Sequence, residues 1–341
     1  MSDFKIGNIN IGKSFKPLII AEMSGNHNQS LDRALEITKK AASTGVDMLK
    51  LQTYTADTMT IDVSGGDFFI NDKKSLWYGK NLHTLYKVAY TPWEWHAPII
   101  KLANKLGMIC ISTPFDDTAV DFLEDLNMPA YKIASFENSH IPLLKKIAST
   151  GKPIILSTGM ATLSELSEAV QTIREAGSKN LVLLKCTSSY PSSPKNSNVL
   201  TIPHMRELFG CEIGLSDHTM GLGASIAAIA HGASVIEKHF TLRRSDGGVD
   251  SEFSLEPEEM RALVIESERA WESLGQINYG PSKSEQSSVK FRRSIYITED
   301  IKKGEKLTSD NIKIIRPGYG LEPKYYDILK DKKVNKNLKR G

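Results

Sequence analysis

The stretch EIGLSDHTMGLGASIAAIAHGASVIEKHFT, residues 212–241, decides the fold of this chain. Two short apolar runs bound it, EIGLSDH (212–218) and VIEKHFT (235–241), and a histidine stands near the end of each. Six runs of the same kind lie upstream: LIIAEMS (from Leu18), MLKLQTY (Met48), MICISTP (Met108), AYKIASFE (Ala130), PIILST (Pro153) and LVLLKCTSSY (Leu181). Most of the intervals between them hold amphipathic helical patterns. Such alternation implies parallel strands joined by right-handed crossovers. Eight strands imply an α/β fold of the closed (β/α)8 TIM-barrel type, with its active site at the C-terminal strand ends.

Parity along the runs sharpens this expectation, because barrel strands point alternate residues inward. Glu22 shares parity with Ile20, and Lys50 with Gln52. Thr113 follows Ile111, and Ser157 follows Ile155. Gly214, Ser216 and His218 share one face, as do Val235, Glu237 and His239. With those faces inward, one pocket gathers carboxylates, lysines, hydroxyls and two histidines, far more polar chemistry than a barrel core needs.

Composition fits an enzyme. The 341 residues suffice for a barrel of about 250 residues plus an appendage. A net charge of +3 makes no case for nucleic acid. The opening MSDFKIGNINIGKSF lacks the apolar core of a signal peptide, and no run approaches the roughly 18 residues of a membrane span. Cys110, Cys186 and Cys211 sit in or beside apolar runs and read as reduced core thiols of a cytoplasmic protein.

Helix punctuation supports the alternation. Thr91–Glu94 and Thr162–Glu165 both read as capping boxes, and Pro257 can open a last barrel helix through about Leu274. Residues 55–90 form a long aromatic connection, carrying Trp77, Tyr78, Tyr86 and Tyr90, that suggests a lid or substrate wall. The organisation expected is a catalytic barrel over residues 1–275, a polar linker over 276–290 and a small β-rich domain over 291–341. About 50 residues is too little for much independent stability, so that domain should pack on a barrel.

Adjacent strands lie ~4.8 Å apart, so His218 and His239 at the seventh and eighth strand ends can reach one divalent ion while leaving positions open for water and substrate. Structural or general-base roles suit two histidines equally. His27 is the other histidine best placed for function, because its loop follows the first strand. Lys50 and Lys132, buried on strands two and four, must be paired with anions or lose their protons. With Thr113, Ser135, Ser157 and Ser216 they suit a phosphate plus a carboxylate; pairing with Glu22, Glu137 or Glu237 is the alternative. Glu22 and Glu137 are acid–base candidates, and Asp250 can hold a sugar hydroxyl.

The motifs IAEMSGNHNQS (from Ile20), LKLQTYTADTMT (Leu49), STPFD (Ser112), YKIASFE (Tyr131), LSTGMAT (Leu156), GLSDHT (Gly214) and VIEKHFTL (Val235) occur in one order along nearly the whole chain. In these motifs the chain resembles the sialic acid synthase family of bacterial nonulosonate synthases. Its C-terminal piece resembles the antifreeze-like (SAF) domain of those enzymes. Where the sialic acid branch reads GPDH, this chain reads GGVDSEFSLEP over Gly247–Pro257, and Ser188 replaces an asparagine two residues before Tyr190. Those departures agree with an acylated sugar other than N-acetylmannosamine.

The resemblance implies condensation of phosphoenolpyruvate with an acylated amino sugar of the 2,4-diacetamido-2,4,6-trideoxy type. It implies Glu22, Lys132, Glu137 and His239 as catalytic residues, and Lys50, Lys132, Thr113, Ser135, Ser157 and Ser216 around phosphoenolpyruvate. Gln52, Glu137, Ser188, Tyr190 and Asp250 would meet the sugar, and His218 and His239 would hold Mn2+ or a similar ion such as Mg2+ or Co2+. It further implies a domain-swapped homodimer in which Phe291 and Arg316 approach the other subunit's site. Other readings are a synthase for N-acetylneuraminate or legionaminate, a Schiff-base keto-acid aldolase using Lys185, and a sugar- or ice-binding protein.

Overall fold

A computed structural model describes residues 3–341, which divide after Gly275 into two compact units. In the first unit eight parallel strands close a barrel: β3 (Leu18–Glu22), β4 (Met48–Thr53), β5 (Ile109–Pro114), β6 (Tyr131–Ile133), β7 (Ile154–Ser157), β8 (Leu181–Cys186), β9 (Glu212–Ser216) and β10 (Val235–His239). Each pairs with its neighbours in chain order, and β10 closes on β3 with His239 opposite Glu22. This is the expected (β/α)8 barrel.

The inward parity expected for each strand is observed. Leu18, Ile20, Met48, Ile111, Ile155, Val182, Leu184 and Val235 pack on one another inside the barrel. Their outward neighbours, such as Ile19, Leu49, Leu156, Leu183 and Ile236, join the larger layer beneath the helices. Fully burying one such aliphatic side chain contributes about 1.5–3 kcal/mol. Gly214 on β9 is required by close approach: a Cβ there would lie 2.3 Å from the Val235 carbonyl.

The barrel's N-terminal end is closed by a hairpin that strand periodicity does not announce. Its strands, β1 (Phe4–Ile6) and β2 (Ile9–Ile11), pair antiparallel, and Ile6 and Ile11 join the inner apolar cluster. With only three residues each, they show no resolvable alternation.

Helix starts were partly legible. Thr162 and Glu165 form the expected capping box, and the last barrel helix spans Pro257–Leu274. Thr91 corrects the second expectation: the helix Trp93–Lys105 begins after Pro92 with no side-chain cap, and the Thr91 hydroxyl bonds His27 Nε2 at 3.2 Å instead. A buried imidazole there competes for the hydroxyl. The connection after β4 is more than a loop. It carries helices Ala56–Met59 and Leu82–Ala89, the latter capped by the Asn81 side chain on the His83 and Thr84 amides.

The second unit, Gln276–Gly341, pairs β11 (Ser294–Ile297) antiparallel with β12 (Ile312–Ile315). Its core is small: Ile295, Ile301, Leu307 and Ile312 are the buried apolar residues. Residues Gln286–Phe291 form a 3-10 helix ahead of β11. Among the described residues, no helix is long and apolar enough to cross a membrane.

Candidate active site

The C-terminal mouth of the barrel opens into a cavity of about 320 Å³. Its floor is an ionic network drawn from the inward residues two steps past the apolar core, which are polar. Lys50 on β4 contacts Glu22 on β3 and lies 3.5 Å from Glu237 on β10. Lys132 on β6 lies 3.5 Å from Glu237 and donates to Ser157 Oγ at 2.8 Å. Ser216 Oγ donates to Glu237 at 3.0 Å, and Lys50 reaches Thr113 Oγ1 at 3.5 Å. All these side chains are buried.

Two cations and two carboxylates balance here, which is how the buried charges are tolerated. Burial drives the Lys50 ammonium down to about 7, against the pull of Glu237 and aided by Lys132. Burial works against the Glu237 carboxylate, yet Lys132 and Lys50 together hold it below its ordinary value. The entry of an anion would give both lysines a partner other than glutamate. Glu237 stood on the inward face in the sequence but was not singled out as a site residue. Its parity with His239 was the available signal.

Two imidazoles stand above the floor with ring centres 5.4 Å apart. His218 Nδ1 donates to the Thr187 carbonyl at 3.0 Å; burial opposes a charge on this ring, but Cys186 and the Thr187 carbonyl raise it above its ordinary value, so Nε2 offers a lone pair only once the ring gives up a proton. Burial and the charges of His218, Lys50 and Lys132 hold His239 well below its ordinary value, as a neutral ring. Its buried Nδ1 has no hydrogen-bond partner and lies 3.9 Å from Asp250. Among the described residues no group of three or more His, Cys, Asp or Glu side chains is disposed to hold an ion. The donor set still fits a divalent cation that draws its remaining ligands from substrate and water, with two imidazoles, of which His218 must give up a proton to bind, and a neighbouring carboxylate.

Around these groups lie the other polar candidates. Gln52, Ser135, Glu137, Tyr190 and Asp250 all line the cavity. Burial pushes Glu137 up to about 7 in spite of Lys132. Burial also raises Asp250, which accepts a hydrogen bond from Ser24 Oγ. Tyr190 packs on His218 with ring centres 4.5 Å apart. Ser188 does not line the cavity; its buried hydroxyl lacks a partner and sits against Gly159. Phe291 and Arg316 belong to the second unit, and both are exposed.

Three sequence readings change. Lys185 lies on the outward face of β8 with Leu183 and donates to the Cys186 carbonyl, so it is no Schiff-base lysine of this cavity. Cys186, read as a reduced core thiol, is a free buried thiol that faces the cavity 3.9 Å from His218. Burial would raise that thiol, but His218, Ser135 and Lys132 bring it to about 7. Its parity with Leu184 was the overlooked signal. His27 is a buried structural residue, lowered to about 4 by burial and by His96.

The remaining wall is apolar and comes from the connection after β4. The helix Leu82–Ala89 turns Leu82, Leu85, Tyr86 and Ala89 toward the cavity, the spacing of one helical face. Met59, Ile70, Trp77 and, from beyond β5, Phe115 complete it. Tyr54 stacks edge-on to Tyr86 and Phe115, and Trp77 Nε1 donates to the Val249 carbonyl at 3.1 Å.

This geometry can be set beside known proteins. The NeuB family matches residues 37–279, and the SAF domain matches residues 292–341. The chain belongs to the NeuB family. This NeuB chain is 42% identical over 337 residues to a pseudaminic acid synthase of Campylobacter jejuni, covering 99% of this chain and 97% of the relative. It is 43% identical over 325 residues to one of Helicobacter pylori, covering 95% of each. Among solved structures, an N-acetylneuraminic acid synthetase of Leptospira borgpetersenii superposes with a TM-score of 0.75 at 32% identity, covering 85% of this chain and 96% of that one. The C-terminal unit of this NeuB protein is therefore a SAF domain.

Proposed function

We propose that this chain is a pseudaminic acid synthase. It condenses phosphoenolpyruvate with 2,4-diacetamido-2,4,6-trideoxy-β-L-altropyranose and water, yielding pseudaminic acid, a nine-carbon 2-keto acid, and phosphate. The observation that carries this reading is the end-to-end likeness to two pseudaminic acid synthases. The two buried lysines of the floor, each paired with a glutamate that an incoming anion would replace, support it.

In the reaction, C3 of phosphoenolpyruvate attacks the aldehyde carbon of the open-chain sugar. The aldehyde oxygen takes a proton, and C2 acquires oxocarbenium character. Water adds at C2 and gives up a proton. The C2–O bond to phosphate then breaks as the new C2 hydroxyl passes its proton to the departing phosphate, leaving the ketone and hydrogen phosphate. Lys50 and Lys132, with Thr113, Ser135, Ser157 and Ser216, hold the phosphate and carboxylate and stabilise the departing dianion. When Lys50 turns to the incoming anion it releases Glu22, which takes the proton from water. Glu137, raised to about 7, is poised to protonate the aldehyde oxygen. Gln52, Tyr190 and Asp250, which line the cavity, contact the sugar. His218 and His239 would hold a divalent ion, Mn2+, Mg2+ or Co2+, and the chemistry it would supply is Lewis-acid polarisation of the carbonyl.

The full site includes Phe291 and Arg316 of the partner subunit in a domain-swapped homodimer, working in the cytoplasm where phosphoenolpyruvate is made. The test is phosphate release from phosphoenolpyruvate with a panel of acylated sugars and each metal. The altro-configured diacetamido sugar should exceed N-acetylmannosamine in kcat/KM by tenfold or more, roughly the discrimination that buried pocket contacts provide. Comparable values would overturn the sugar assignment while sparing the family.

A further inference from the structure

His239 is the last residue of β10, but His218 stands beyond the end of β9 at Ser216. The paired register of these strands stops at Ser216 opposite Glu237, with one further main-chain bond from the Asp217 amide to the Glu237 carbonyl at 2.9 Å. His218 lies past that bond, so sheet pairing does not fix where its imidazole stands relative to that of His239. A side chain on the opposite face makes the connection. Lys238 shares the outward parity of Ile236, and its ammonium lies 3.1 Å from Asp217 Oδ2 and donates to the Thr219 carbonyl at 2.5 Å. Asp217 in turn accepts from the Thr219 amide at 2.8 Å and, at 2.6 Å, from Ser225 Oγ on the helix Gly223–Ala230. The residues just before and just after His218 are therefore both gripped by the residue just before His239.

The side chains of Lys238 and Asp217 are each 1% exposed. A buried ion pair adds little net stability over an apolar pair of similar volume, and its better-attested use is to fix one geometry. Apolar contacts tolerate sliding, whereas an ammonium shared between a carboxylate and a carbonyl is directional. We infer that Lys238 and Asp217 are positioning residues, clamping the Asp217–Thr219 segment to β10 so that His218 and His239 meet one divalent ion. The inference rests on the reading of those two histidines as the ion's ligands. The clamp touches neither the ion nor the substrates and acts through the backbone that carries the imidazoles. Loss of a group that orients metal ligands from behind typically weakens metal binding about tenfold to a hundredfold.

The experiment titrates the full-length protein with Mn2+ and follows the free ion by electron paramagnetic resonance. Beside it are measured the melting temperature without metal and the affinity for phosphoenolpyruvate without metal, which the floor lysines set. Lys238→Met alone strands the Asp217 carboxylate without its cation and can fail to fold. Asp217→Asn combined with Lys238→Met removes both charges at nearly constant volume, so the double variant decides. It should keep its fold and bind phosphoenolpyruvate within about threefold of the wild type, while Mn2+ affinity falls roughly tenfold to a hundredfold. Mn2+ affinity within about twofold of the wild type overturns the clamp. Equal losses for Mn2+ and phosphoenolpyruvate, or collapse of the double variant, overturn it too, because the pair would then be holding the fold at large. His218→Ala separates this inference from the reading beneath it. Wild-type Mn2+ affinity in His218→Ala removes the histidines as ligands; loss there with full affinity in the double variant removes the clamp alone.

Discussion

Binding of phosphoenolpyruvate at pH 8 should draw a proton from solution onto Lys50. The free ammonium is buried, 4% exposed, and lowered to about 7. One unit above that value, roughly one molecule in ten keeps the proton, so seating a trianion requires uptake of about 0.9 proton per ligand. Affinity should then fall about tenfold for each unit of pH above 7, which is about 1.4 kcal/mol. The ligand's phosphate is fully ionised at pH 8 and adds no proton of its own. Titration calorimetry in two buffers of different ionisation enthalpy reads the uptake directly. Lys50→Met keeps the stem and removes the charge; it should abolish the uptake and weaken binding by about 1.5–3 kcal/mol, the usual worth of a charged hydrogen bond. Less than about 0.2 proton taken up by the wild type, or uptake that persists in Lys50→Met, would refute the reasoning.

Three further outcomes are expected. Burial raises Glu137 to about 7, so the folded protein keeps a proton that the unfolded chain has lost above the ordinary value of 4.5. That contribution to stability is complete below 4.5 and is lost as pH rises through 7. Glu137→Gln should therefore slow turnover yet stabilise the protein at pH 8, by up to about 3 kcal/mol, with little effect at pH 5; denaturant melts showing the same difference at both pH values would count against it. His218→Ala or His239→Ala, assayed with metal in excess, should lose nearly all turnover and tight Mn2+ binding while keeping the native circular dichroism spectrum; near-normal turnover in both removes the metal assignment. Arg316→Ala mixed with His239→Ala and re-assembled should regain activity from two inactive parents, because a domain acting in trans leaves one site of each mixed dimer free of both lesions. No recovery in heterodimers confirmed by mass rules out the swapped arrangement.

Period and parity are local properties, and they determined most of the barrel. Eight apolar runs with helical intervals leave few other ways to bury both faces of a parallel sheet. Alternation by twos places Glu22, Lys50, Ser157, Ser216, Glu237 and His239 on the inward side from the sequence alone. Register works the same way in reverse, for Cys186 and Lys185 differ by one residue and therefore by a whole face.

What the chain's pattern did not determine is which inward groups meet. Lys50 pairs with Glu22 and Glu237, and the second of these lies far along the chain, joined to it only when β10 closes on β3. Thr91 caps nothing because folding delivers His27 to its hydroxyl. The hairpin strands are too short to show a period, and their place as a plug depends on the open end of a barrel built by other residues. The Leu82–Ala89 helix reads identically in sequence whether its stripe meets a core or a cavity. Amphipathicity specifies that one face avoids water, and only tertiary structure decides what stands opposite it.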